Sequence, residues 1–195
     1  MTEEISIIRP CLNILLVEDD SIICDRLKEQ LTSFFEEKFQ ITIEQSHSSE
    51  GAEKLIAEKV FSLAIVDVMH PSTDDQWNTI QENEKNIDAC VAFMMRNKKH
   101  KTSDEYKMKS EERRTLLSDS SKLTDPEAGL SLVRKWRKSD RTKDLPVLFF
   151  TAVGDEESIN NGIMIGPDGR IAWLVKPSPL DDIINSISGL LGVES

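Results

Sequence analysis

Four short apolar runs constrain this chain more than any other feature. Asn13-Ile14-Leu15-Leu16-Val17 runs into Glu18-Asp19-Asp20, and Ser62-Leu63-Ala64-Ile65-Val66 runs into Asp67. Pro146-Val147-Leu148-Phe149-Phe150 runs into Thr151-Ala152, and Ile171-Ala172-Trp173-Leu174-Val175 into Lys176-Pro177. Continuous apolar runs of about five residues read as strands buried on both faces, the mark of a parallel sheet. In such a sheet ligands bind beyond the carboxyl ends of the strands. Carboxylates, a hydroxyl and an ammonium should therefore converge on one rim. That set suits a metal ion and a phosphoryl group.

Between the runs the pattern switches to helical spacing. Ile22, Ile23, Leu27, Leu31 and Phe34/Phe35 predict a helix capped by Asp20 or Ser21, with the N-cap role the stronger reading of Asp20. Gln40–Gln45 alternates and reads as a second strand. Ser48 and Ser49 precede a helix through Ala52, Leu55 and Ile56, supported by the i,i+4 pair Glu50 and Lys54. The third strand is expected over Leu63–Val68. From Pro71 to about Asp125 the rhythm breaks. Ile80, Ile87, Val91 and Met94/Met95 predict one amphipathic helix of about four turns. Glu111–Leu117 reads as another helical piece, and Ser118–Asp125 as a polar linker ending at Pro126. The rhythm resumes with a helix on Leu130, Val133 and Trp136, a short helix over Asp155–Ile163 stopped by Gly162 or Gly166, and a closing helix over Leu180–Leu191. Five strands and five helices in alternation predict an α/β doubly wound parallel sheet with helices on both faces. Residues 1–195 read as one domain, with 71–125 a partly helical insertion between the third strand and the third helix.

Composition narrows the function. The chain has 195 residues, enough for one sizeable core, and no run approaches the roughly 18 apolar residues of a membrane span. The net charge of −11 argues against general nucleic-acid binding. Residues 96–144 run against that balance, with 15 Lys/Arg and 9 Asp/Glu, so this stretch reads either as a solvated surface or as a contact for an acidic partner or nucleic acid. Cys11, Cys24 and Cys90 are widely spaced and odd in number, which fits reduced thiols and a cytoplasmic location.

Three carboxylates on neighbouring strand ends, Glu18, Asp19 and Asp67, repel one another unless a cation is present. Hard oxygen ligands of this kind favour Mg²⁺. Thr151 offers a hydroxyl and Lys176 a mobile point charge to a phosphoryl oxygen. A carboxylate so placed can attack phosphorus and form an aspartyl phosphate.

The segments Ile14-Leu15-Leu16-Val17-Glu18-Asp19-Asp20, Ile65-Val66-Asp67-Val68-Met69-His70-Pro71, Leu148-Phe149-Phe150-Thr151-Ala152 and Trp173-Leu174-Val175-Lys176-Pro177 together resemble the receiver domain of two-component response regulators. The match spans roughly residues 12–70 and 126–193. The resemblance implies a flavodoxin-like strand order 2-1-3-4-5, with Asp67 as phosphoacceptor. It implies Mg²⁺ held by Glu18, Asp19, Asp67 and the Met69 backbone carbonyl. Thr151 takes the place of the switch hydroxyl, Trp173 that of the switch aromatic, and Lys176 that of the residue pairing with Asp67 or its phosphate. The Lys176-Pro177 bond is usually cis in this family. The implied donor is a histidine kinase or phosphotransfer protein, and the implied output is contact with a further, unnamed protein. No output domain is expected on this chain. The chain is not expected to be an enzyme beyond self-catalysed phosphoryl transfer and hydrolysis.

The departures are specific. His70 stands where an apolar residue is usual, tryptophan replaces the commoner tyrosine or phenylalanine at 173, Gly162–Arg170 is longer than its counterpart, and the insertion starts just after Asp67. An alternative follows: a phosphorylation-independent binding module that uses the insertion as its surface, with a homodimer through that segment also open. An aspartyl-phosphate phosphatase would carry a second aspartate two residues after the nucleophile, where this chain has Met69.

Overall fold

The computed structural model describes residues 9–98, 101–152 and 170–193. A five-stranded parallel sheet is formed by β1 (Cys11–Val17), β2 (Gln40–Ser46), β3 (Leu63–Val66), β6 (Val147–Thr151) and β7 (Ile171–Val175), in the order β2-β1-β3-β6-β7. Two further pieces of two residues each, β4 (His70–Pro71) and β5 (Thr124–Asp125), form a separate antiparallel pair. Leaving that pair aside, the order is the expected 2-1-3-4-5.

The apolar runs are continuous because each strand is covered twice. Successive side chains leave a strand on opposite faces. Leu12, Ile14 and Leu16 of β1 join Leu63 and Ile65 of β3 and Leu148 and Phe150 of β6 in one cluster. That face is covered by α1 (Ser21–Phe35) through Leu27 and Leu31 and by α6 (Leu180–Leu191) through Ile183 and Ile187. Leu15 and Val17 join Ala64, Val66, Val147 and Phe149 in the other. There the cover is α2 (Ser49–Glu58) through Ala52 and Ile56, and α5 (Ala128–Trp136) through Leu130, Val133 and Trp136. Each such side chain taken from water contributes roughly 1.5–3 kcal/mol.

Asp20 caps α1, its carboxylate accepting from the backbone amides of Ile22 and Ile23, and Ser48 caps α2. The expected Glu50–Lys54 pair is present at 2.8 Å. The third strand stops at Val66 instead of Val68. The carbonyl of Asp67 accepts from His70 Nδ1 (3.0 Å) and that of Val68 from the Gly129 amide (3.0 Å), so both leave the ladder.

Residues 74–123 are more helical than their sequence pattern suggests. α3 (Asp74–Arg96) has 23 residues, about 34 Å of helix, and opens with a capping box of Thr73 and Gln76. α4 (Asp104–Leu123) has 20, opens on the cap Ser103, and takes in the expected helical piece Glu111–Leu117 and most of the expected linker. Asn83 on α3 donates to Ser120 on α4 at 3.0 Å, and the β4–β5 pair closes the base. The two helices form an antiparallel hairpin. The helix expected over Asp155–Ile163 lies outside the described residues. All three cysteines are free thiols. No helix among the described residues is long and apolar enough to cross a membrane.

Candidate phosphoacceptor site

The chain runs from β1 outward to β2 and back to β3, so the order reverses between β1 and β3. A crevice opens at such a reversal beyond the carboxyl ends of the strands. Glu18 and Asp19 follow β1, and Asp67 follows β3. One carboxylate oxygen from each lies within 4.8 Å of the others. Glu18 and Asp67 are buried, and Asp19 is half-buried.

Lys176 reaches this group from the end of β7. Its Nζ donates to Asp67 Oδ2 at 2.8 Å and also to Glu18 Oε2, and it lies 5.4 Å from the centroid of the Phe150 ring. The Lys176–Pro177 peptide is cis, and the Lys176 amide donates to the Thr151 carbonyl at 2.8 Å. Thr151 ends β6 fully buried, and the β3–β6 register carries it to the same rim. The Met69 amide donates to Asp67 Oδ1 at 3.3 Å, while its side chain points to solvent. Trp173 is half-buried on β7, its ring 5.0 Å from that of Phe149 and tilted by 36°.

Burial pushes the Glu18 carboxyl up to about 7, with the Lys176 ammonium opposing the rise and the Asp67 charge adding to it. Asp19 is raised too, first by burial and then by Asp67. For Lys176 burial alone would lower the value. The carboxylates of Glu18 and Asp67 outweigh it and hold the ammonium above its ordinary range. One ammonium serves three carboxylates, so negative charge is left over. A small hard cation on these oxygens would relieve it, which is the fit expected of Mg²⁺.

Three further residues belong to the site: His70, which the sequence marked only as a departure from the family pattern, and His47 and Gly129, which it did not single out. His70 is fully buried behind Asp67. Its Nδ1 donates to the Asp67 carbonyl, and its Nε2 meets the Ser49 hydroxyl at 3.0 Å. It therefore supports the backbone behind Asp67 and does not join the acidic cluster. Burial lowers its pKa, which favours the neutral ring. His47 Nδ1 donates to the Glu18 carbonyl at 2.7 Å, fixing the acidic loop from the β2 side. Gly129 begins α5 flat against the site. A Cβ there would sit 2.1 Å from the Asp67 carbonyl oxygen and 2.9 Å from Val68 Cα. Only glycine permits that approach.

No protein-family model matches the chain, and no curated protein matches it. Solved structures do. The chain is similar to a chemotaxis response regulator of Vibrio cholerae, with 15% identity over 93% of this chain and 99% of that one, at a TM-score of 0.56. It is similar to the non-phosphorylated receiver domain of HemR from Leptospira biflexa, with 20% identity over 94% and 97%, at a TM-score of 0.54. It is also similar to the signal receiver domain of a signal transduction histidine kinase from Syntrophus aciditrophicus, with 16% identity over 93% and 91%, at a TM-score of 0.54. At such identities the likeness speaks for the backbone, and by that backbone the chain has the fold of the response regulator receiver domains.

Proposed function

We propose that this chain is a cytoplasmic phosphoreceiver that takes a phosphoryl group on Asp67 from the phosphohistidine of a histidine kinase or phosphotransfer protein. The observation that carries the reading is Lys176 joining Asp67 to Glu18, beside a third carboxylate whose oxygen lies within 4.8 Å of theirs. An Asp67 carboxylate oxygen forms a bond to phosphorus. The bond from phosphorus to the donor imidazole breaks, and its electron pair stays on that nitrogen, which takes up a proton. Lys176 balances charge on the transferring group, and the Thr151 hydroxyl donates to one of its oxygens. Glu18, Asp19, Asp67 and the Met69 carbonyl would hold Mg²⁺, which supplies charge neutralisation of the phosphoryl oxygens. The acyl phosphate on Asp67 then biases the receiver between two populations, with Thr151 and Trp173 as the moving parts and a downstream protein as the reader. Water returns Asp67 to its free state, so the chain turns over no external substrate as an enzyme would.

The test is intact mass after incubation with Mg²⁺ and a small phosphodonor. The expected result is one added phosphoryl group on the wild type and none on Asp67→Ala. Equal labelling of the two proteins would end this reading. The insertion supports a second one, a binding module independent of phosphorylation. α4 has no buried residue, so its surface is open to a partner. That reading predicts partner capture that survives Asp67→Ala and is lost when residues 75–122 are removed.

A further inference from the structure

α3 is fastened to the loop that carries Glu18 and Asp19. Its first residue is held three ways: the Asp74 amide donates to Glu50 Oε2 at 3.2 Å, and its carboxylate accepts from Lys54 Nζ at 2.8 Å and from the Ser48 hydroxyl. Nearly one turn later Trp77 stacks on His47, with ring centroids 4.4 Å apart and planes 8° from parallel. That imidazole is the one bonded to the Glu18 carbonyl. A further turn along, Ile80 is buried. Between α3 and the acidic loop lies a cleft of about 360 Å³, with Asp19, Asp20 and Ile22 on one side and Ile80, Gln81 and Glu84 on the other. The insertion thus supplies one wall of a cleft that borders the acidic site at Asp19.

We propose that α3 is a specificity wall: it turns away free anionic phosphodonors and favours a donor carried on a protein with a basic and apolar contact face. The inference rests on the phosphoacceptor reading of Asp67. A small anion crossing this cleft meets Asp20 on one lip and Glu84 on the other. Both carboxylates are exposed, so their field across the cleft is one that salt screens. A carrier protein can meet the same groups with lysine or arginine. It can also cover Ile22, which is 78% exposed at the cleft. Glu84 is the residue by which the insertion tunes the entrance, because it is charged and lies on the wall without belonging to the acidic centre.

The experiment is the rate of Asp67 labelling by acetyl phosphate in the full chain with Mg²⁺, read by intact mass. In that step Asp67 oxygen bonds to phosphorus and acetate leaves with the electron pair. Glu84→Lys should raise the rate about fivefold at low ionic strength, and the gain should shrink as salt screens the cleft. Phosphoramidate, which carries less negative charge, should gain less. Glu105→Lys, the same charge change at the far end of the hairpin on α4, should leave the rate unchanged. Replacing residues 75–122 with a short Gly-Ser linker should raise the rate for both donors. Wild type labelled on Asp67 with Glu84→Lys no faster, or with Glu105→Lys equally fast, overturns the wall while the phosphoacceptor reading stands. No label on any of the proteins overturns the reading beneath it. Should the excised variant not fold, Glu84→Lys against Glu105→Lys decides alone.

Discussion

At the scale of single residues, charge and close approach govern the site. Glu18 sits at about 7 because it is buried, so in the cation-free protein it holds a proton below that pH. As a proposed metal ligand Glu18 must be deprotonated, so protons would compete with Mg²⁺ there. The sign follows: affinity for Mg²⁺ rises with pH and levels off above about 7, with roughly a tenfold loss per pH unit below the shoulder if one proton is displaced. Calorimetric titration at a series of pH values checks it, and a flat profile would refute it. Gly129→Ala tests the close approach. A methyl group 2.1 Å from the Asp67 carbonyl oxygen forces backbone to move, which costs on the order of 1–3 kcal/mol or more. The urea midpoint should fall accordingly, and labelling of Asp67 should slow because its main chain shifts. An unchanged midpoint would show that the helix slides away freely. Asp67, Glu18, Asp19 and Lys176 were legible in sequence because each ends an apolar run. The roles of Gly129 and His47 were not, since their partners at the site are backbone carbonyls of distant segments, and a backbone contact leaves no mark on residue type; His70 was marked as a departure, but not its bond to the Asp67 carbonyl.

At the scale of elements, legibility follows burial. The strands of the sheet are buried on both faces and therefore read as continuous apolar runs. The helices of the sheet faces bury one stripe, and their positions were recovered from it. α4 buries nothing fully, so it has no stripe to read. It is held as a helix by local means: the Ser103 cap with Asp104 and Glu105 in the first turn, and i,i+3 pairs Lys109–Glu112, Glu111–Arg114 and Asp119–Lys122. Each exposed pair contributes only a few tenths of a kcal/mol, which is below what a periodicity search registers. The stretch Ser118–Leu123 shows the consequence. Its serines read as linker, yet it forms the last turns of α4, lying along α3 through the Asn83–Ser120 bond. α3 in turn was read as a helix but too short, because its outer turns carry no apolar pattern of their own. Helix ends set by a cap and a partner helix are not written in the hydrophobic spacing.

At the scale of the whole molecule, the insertion and the sheet are energetically separate while meeting at the site. Among the described residues, neither apolar cluster contains one between 74 and 123. The insertion is tied to the rest by polar and aromatic contacts near its base: Asp74 with Glu50 and Lys54, Trp77 on His47, and the β4–β5 pair. That pair sets Pro71 beside Thr124, so the chain can be closed there with a few residues. Loop closure costs little for a short connection, and the removed segment takes its own conformational entropy with it. A protein lacking residues 75–122, joined by a short Gly-Ser linker, should therefore still unfold in one cooperative step, with stability lowered by no more than about 2 kcal/mol for the lost contacts at the base. Its urea m-value should fall, since less surface is exposed on unfolding. Chemical denaturation followed by circular dichroism measures both. A non-cooperative transition would mean that the sheet needs the hairpin to fold. It would make the insertion part of the core in a way its side chains do not suggest. A cooperative transition would leave the hairpin as an attachment whose stacking and ion pairs serve the entrance to Asp67 and not the stability of the domain.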